Sequence, residues 1–143
     1  MRILSMMRAT KETEAGIPPG KELIERMGAL VEEATKAGVL LSSDGLHPSS
    51  KGKRLKLENG KTTVIDGPFT ESRELVASYA LCQVKDMDEA LMWCSRFLEV
   101  LGEGECELRP IFGPDDFSPD VLTPEQAARE AANREQMEQN ACR

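Results

Sequence analysis

Two stretches of helical periodicity, each set between short apolar runs, constrain this chain more than any other feature. In residues 21–37 the apolar side chains Leu23, Met27, Leu30, Ala34 and Ala37 recur at steps of three and four, and Ile24 and Val31 widen the stripe. Glu22, Glu25, Arg26, Glu32, Glu33 and Lys36 fill the opposite side, so the segment reads as an amphipathic helix with Gly38 closing it. A second helix opens at Asp86, whose carboxylate can cap the first turn, with Glu89 three residues on as a variant capping box. Its stripe runs through Met87, Ala90, Leu91, Cys94, Phe97, Leu98 and Leu101, and Gly102 or Gly104 ends it.

Strand-like runs flank both helices. Residues 2–7 suit a buried first strand, and residues 39–42 follow the first helix directly. Residues 75–84, rich in Val, Leu, Tyr and small side chains, read as a central strand, and residues 105–112 alternate as the last one. Between the two units lies a hairpin: residues 53–58 alternate with period two, Asn59-Gly60 suits a type I′ turn, and residues 61–65 return. The order β-α-β, inserted hairpin, β-α-β builds a ferredoxin-like α+β domain, an antiparallel sheet with both helices on one face. Alternate residues of 3–7, 76–84 and 106–112 make the other sheet face too apolar to stay wet. The sequence therefore predicts a homodimer that pairs those faces.

This domain spans residues 1–112. Residues 113–143 read as an acidic linker and a C-terminal helical appendage, opened by Thr123 with Pro124 at the first helical position. That tail holds three Lys+Arg against seven Asp+Glu, within a chain whose net charge is −7. An overall acidic balance argues against a general nucleic-acid binder, whose affinity comes from neutralising phosphates. A basic cluster (Lys51, Lys53, Arg54, Lys56, Lys61) has no interleaved aromatic and reads as a solvated hairpin face. No apolar run reaches the ~20 residues of a membrane span and no signal-peptide pattern opens the chain, so the expected location is cytoplasmic, with no membrane partner. Cys82, Cys94, Cys106 and Cys142 form no C-x-x-C, and the single histidine stands at no metal-ligand spacing from them. Neither a metal nor another cofactor is expected, and no phosphate-cradling Gly-rich loop occurs.

Asp66-Gly67-Pro68-Phe69 ends the returning arm in a sharp turn, and residues 70–74 suit one helical turn. Further marks are the Ala37-Gly38-Val39-Leu40 join, the Gly45-Leu46-x-Pro48 loop, Asp88-Glu89-Ala90 and Glu107-x-Arg109. In this order and spacing the set resembles the YCII-related family, in its DGPF-domain branch, over residues 1–112. The resemblance implies a dimeric α+β barrel, two ferredoxin-like sheets packed face to face. Val76-Ala77-Ser78 departs from the small-residue pair common at that place in the family, which bears on pocket size. The resemblance also carries the suggestion of enzymatic chemistry by a His–Asp pair in a cleft, without assigning a function.

The candidate pair here is His47 and Asp66. Pairing through Asn59-Gly60 sets Glu58 beside Lys61, so the loop at 43–50 and Asp66 share the open end of the hairpin. A carboxylate that holds an imidazole in one tautomer gives an acid–base group titrating near neutrality. The plainer reading makes His47 a solvated loop residue and Asp66 a turn residue bonded to its own backbone. Ser49, Phe69, Arg73 and Tyr79 are candidate ligand contacts, each with a plainer alternative. Phe69 could anchor the turn in the core, Arg73 could pair on the surface with Glu74, and Tyr79 could line the dimer core. Ser49 lacks the G-x-S-x-G surroundings of a nucleophile. Two functions stand side by side: an enzyme performing His/Asp acid–base chemistry on a small polar metabolite, and a non-catalytic module that binds a small molecule or a protein. A structural dimer whose C-terminal helix clasps a partner is the third.

Overall fold

A computed structural model describes residues 1–70 and 74–143. In chain order the elements are β1 (Arg2–Arg8), α1 (Lys11–Glu14), α2 (Lys21–Lys36), β2 (Leu40–Gly45), β3 (Lys53–Glu58), β4 (Lys61–Asp66), β5 (Val76–Gln83), α3 (Met87–Leu101), β6 (Cys106–Pro110) and α4 (Pro124–Ala141). They fall into two units, Met1–Ile111 and Phe112–Arg143. The first unit holds a four-stranded sheet in the order β2-β5-β1-β6, with each neighbouring pair antiparallel. This is the ferredoxin-like α+β arrangement.

Alternation along the strands decides what meets the helices. Ile3 and Cys82 pack with Leu30 and Ala34 of α2 and with Ala90 and Trp93 of α3. Ile3 is fully buried, a contribution of about 1.5–3 kcal/mol. Ser5, also on this side, is buried and accepts a hydrogen bond from Cys94 Sγ at 3.5 Å. Trp93 takes the core place that the sequence reading assigns to Leu91: Trp93 is 7% exposed and Leu91 48%. The inward stripe is Ala90, Trp93, Cys94 and Phe97, at steps of three and four, and Leu91 stands about 100° round the helix from Ala90. The stripe on α2 is likewise narrower than expected, with Ile24 outside it at 57% exposure.

Three local differences bear on the site. β2 runs on to Gly45 because Ser43, Asp44 and Gly45 keep pairing with Ala80, Tyr79 and Ser78, although their polarity reads as a loop. α1 is too short to show a helical period in the sequence; Thr10 and Thr13 cap it reciprocally, which suffices for one turn. The hairpin forms a two-stranded sheet of its own, paired from Lys53↔Asp66 to Glu58↔Lys61. Asn59 (φ 51°) and Gly60 (φ 74°) supply the two positive φ angles that a type I′ turn demands.

In the second unit Thr123 and Gln126 form a capping box at the start of α4, which buries no residue. Phe112 and Phe117 pack there with ring centroids 5.3 Å apart. Among the described residues no helix is long and apolar enough to cross a membrane.

Candidate functional site

The end of the sheet where β1 and β2 finish and β5 begins gathers most of the candidate residues. Leu46 N donates to Ala77 O at 2.8 Å and Ala9 N to Leu75 O at 2.8 Å, so the loops after β2 and β1 both close onto the start of β5. Beyond Leu46 the chain forms a 3₁₀ turn at Ser49–Lys51, and the Asp66-Gly67-Pro68-Phe69 turn is built against it. Gly67 N donates to Gly52 O at 3.0 Å. A Cβ at Gly67 would lie 1.7 Å from Ser49 O, so the close approach admits glycine alone. The following Gly67–Pro68 bond is cis.

Ser49 is the tie at the centre of this structure. Its Oγ donates to Glu14 Oε2 at 2.5 Å and accepts from Phe69 N at 3.1 Å, while its N donates to Glu14 Oε1 at 3.0 Å. One half-buried side chain thus joins α1, the 3₁₀ turn and the DGPF turn. With both roles of the hydroxyl occupied, Ser49 stands as a structural residue and not as a free nucleophile. Phe69 is half-buried and lies outside the core, its ring against Gly52 and under the Arg54 guanidinium, 4.1 Å from the ring centroid. It anchors the turn, as one of its sequence readings expects, but to the hairpin base.

Asp66 accepts a hydrogen bond from Lys53 Nζ, its cross-strand partner, and both side chains are exposed. His47 is exposed in the loop after β2. His47 stands two residues before Ser49, and Asp66 precedes Gly67, which packs on the Ser49 carbonyl, but among the described residues no hydrogen bond or ion pair joins His47 and Asp66. Arg73 lies outside the described residues, as does the middle of the helical turn expected at 70–74.

Tyr79 is on the sheet face turned away from α2 and α3. Its hydroxyl donates to Asp44 Oδ2 of the neighbouring strand at 2.8 Å. The register sets two rows across this face, Ser42–Leu81–Leu4–Arg109 and Asp44–Tyr79–Met6–Glu107. Leu4, Met6, Tyr79 and Leu81 form a half-buried apolar centre, with polar groups at both edges. On the β6 edge Glu107 accepts from Arg8 at 2.8 Å and from Arg109 at 3.4 Å, and Arg8 also donates to Glu74 O at 3.3 Å. Glu14, Asp44 and Arg8 escape sequence reasoning because each matters through a partner from a distant segment.

Other chemistry is muted. Burial pushes the Cys82 thiol up to about 11, with Cys94 nearby adding to the effect, and burial also raises Cys94. Such thiols are poor nucleophiles. Among the described residues no group of three His, Cys, Asp or Glu could hold a metal ion. Between α2 and α3 an open groove of about 360 Å³ is crossed by Arg96, which clasps Glu33 with two hydrogen bonds of 2.8 and 2.7 Å.

The YCII-related domain matches residues 1–113 of this chain. An uncharacterized protein of Rhizobium meliloti (strain 1021) is 27% identical over 92 residues, covering 64% of this chain and 74% of that protein. Among solved structures, the 5-chloro-2-hydroxyhydroquinone dehydrochlorinase of Burkholderia phenoliruptrix AC1100, in complex with 2,5-dihydroxybenzoquinone, is 10% identical. It covers 82% of this chain and 100% of its own with a TM-score of 0.44.

Proposed function

This chain belongs to the YCII-related domain family, and from that premise we propose that it works as a homodimeric module binding a small polar metabolite. The ligand lies at the end of the sheet where His47, Tyr79 and Asp44 stand. The observation that carries this reading is the Tyr79–Asp44 pair, a phenol held by a carboxylate at 2.8 Å beside an otherwise apolar sheet centre. Apolar walls with a few convergent polar groups are the usual make-up of a small-molecule site. Ser49 and Asp66, by contrast, are engaged by Glu14 and Lys53. Pairing of two sheet faces through Leu4, Met6, Tyr79 and Leu81 would enclose the ligand. Four free cysteines favour a cytoplasmic setting.

Acid–base catalysis by His47 and Asp66 is the second reading, favoured by the packing of Gly67, next to Asp66, on the 3₁₀ turn that follows His47. It requires Asp66 to exchange Lys53 for His47 when substrate is bound. Because His47 is the only histidine, an NMR pH titration of its imidazole in the native chain and in Asp66→Asn separates the readings. Binding without catalysis predicts that the imidazole titration is the same in both proteins. A titration that moves between the native chain and the variant would put the coupled dyad and an enzyme in its place.

A further inference from the structure

Cys82, Cys94 and Cys106 converge on the helix side of the sheet. The register pairs Cys82 with Ile3 and Cys106 with Met7, and Ile3, Ser5 and Met7 share the face that packs on α2 and α3. Cys94 stands in the inward stripe of α3, its Sγ 3.5 Å from Ser5 Oγ and in hydrogen-bonding contact with the Cys106 thiol. Cys82 and Cys94 are buried, whereas Cys106, at the start of β6, is half-buried and keeps contact with solvent. The link from α3 to β6 carries Gly102 (φ 87°) and Gly104 (φ 138°), backbone conformations that glycine adopts without a steric penalty. The start of β6 is thus tied to α3 by a link that adjusts at low cost.

Two thiols in contact between a helix and a strand, one of them reached by solvent, form a different chemical unit from a buried cysteine that only fills space. We propose that Cys94 and Cys106 are a peroxide-responsive pair that closes to an intramolecular disulfide joining α3 to β6. Cys106 reacts first. Its thiolate attacks one oxygen of hydrogen peroxide, the O–O bond breaks, and a sulfenic acid forms with release of water. Cys94 Sγ then attacks Cys106 Sγ: the S–S bond forms, the S–O bond breaks, and the hydroxide leaves as water with the Cys94 proton. Peroxide is reduced to two waters while two thiols are oxidised to one disulfide. Burial holds Cys94 as a thiol, so contact with Cys106, and not acidity, drives the second step. Cys82, buried and with its thiol pushed up to about 11, stays a bystander. The pair faces the helices, apart from the sheet face proposed to bind a ligand, and does not depend on that reading.

The test treats the reduced native chain with dilute hydrogen peroxide, alkylates the remaining thiols and maps the peptides by mass spectrometry. The same time course is followed in Cys106→Ser. The expected result is a peptide pair linked through Cys94 and Cys106 within one chain, restored to free thiols by dithiothreitol. Cys82 stays alkylated, and the rate of linkage is independent of protein concentration. In Cys106→Ser, loss of the free Cys94 thiol should be at least about tenfold slower, because its reaction partner is gone. Cys106 that passes to sulfinic acid while Cys94 stays reduced overturns the proposal. So does a Cys82–Cys94 link, or oxidation confined to links between chains through Cys142. Equal rates of Cys94 oxidation in the two proteins would overturn it as well. Should the variant fail to fold, the linked peptide pair in the native chain, present or absent, decides alone.

Discussion

Gly67 does its work through the side chain it lacks. The Ser49 carbonyl occupies the space of its Cβ, at 1.7 Å, and this contact lets the DGPF turn fold flat against the 3₁₀ turn. Gly67→Ala should therefore cost about 3 kcal/mol, at the upper end of over-packing penalties, with a matching fall in the urea midpoint. Loss of hydrogen-exchange protection at the Gly67 and Phe69 amides would place the damage at the hairpin base; an unchanged midpoint would refute the account. Asp66 is the contrasting case. Its motif is conspicuous in the sequence, yet among the described residues its side chain pairs only with Lys53, at an exposed surface where ion pairs contribute little. The motif was legible because Gly and Pro restrict the backbone locally. Glu14 was not, because only folding carries it 35 residues along the chain to Ser49.

At the scale of elements, α2 and α3 owe their mutual setting to the apolar stripes beneath and to the Glu33–Arg96 clasp above. The hydrogen bonds from Arg96, and then its charge, hold the Glu33 carboxyl below the usual carboxylate range. A depressed carboxylate pKa means that the unfolded chain takes up this proton first. Whatever the clasp contributes is thus present above the ordinary carboxylate range and lost as pH falls through the lower folded value. In Arg96→Met the Glu33 side-chain titration, followed by carboxyl carbon shifts, should move upward; a titration that stays in place would remove Arg96 as the cause. The two helices also show where periodicity misleads. A window of apolar residues fixes that α3 has a buried side, but Leu91 and Trp93 lie on opposite flanks of it. Packing on Ile3 and Cys82 selected the flank that carries the larger ring.

At the scale of the whole molecule, the core of Met1–Ile111 is made by its own sheet and helices, and α4 buries no residue. Removal of residues 112–143 should leave the amide spectrum of β1, β5 and β6 in place and shift Tm by no more than about 2 °C. Collapse of those resonances would show that the first unit depends on the tail. Periodicity, capping and turn chemistry act within a few residues, so the order of the longer elements, the ferredoxin-like sheet, and the hairpin with its turn were legible before folding. The extension of β2 through Asp44 to Tyr79 and the joining of three segments by Ser49 emerge on folding alone. Those outcomes depend on cross-strand register and on contacts between distant segments, where a shift of one residue turns a side chain to the opposite face.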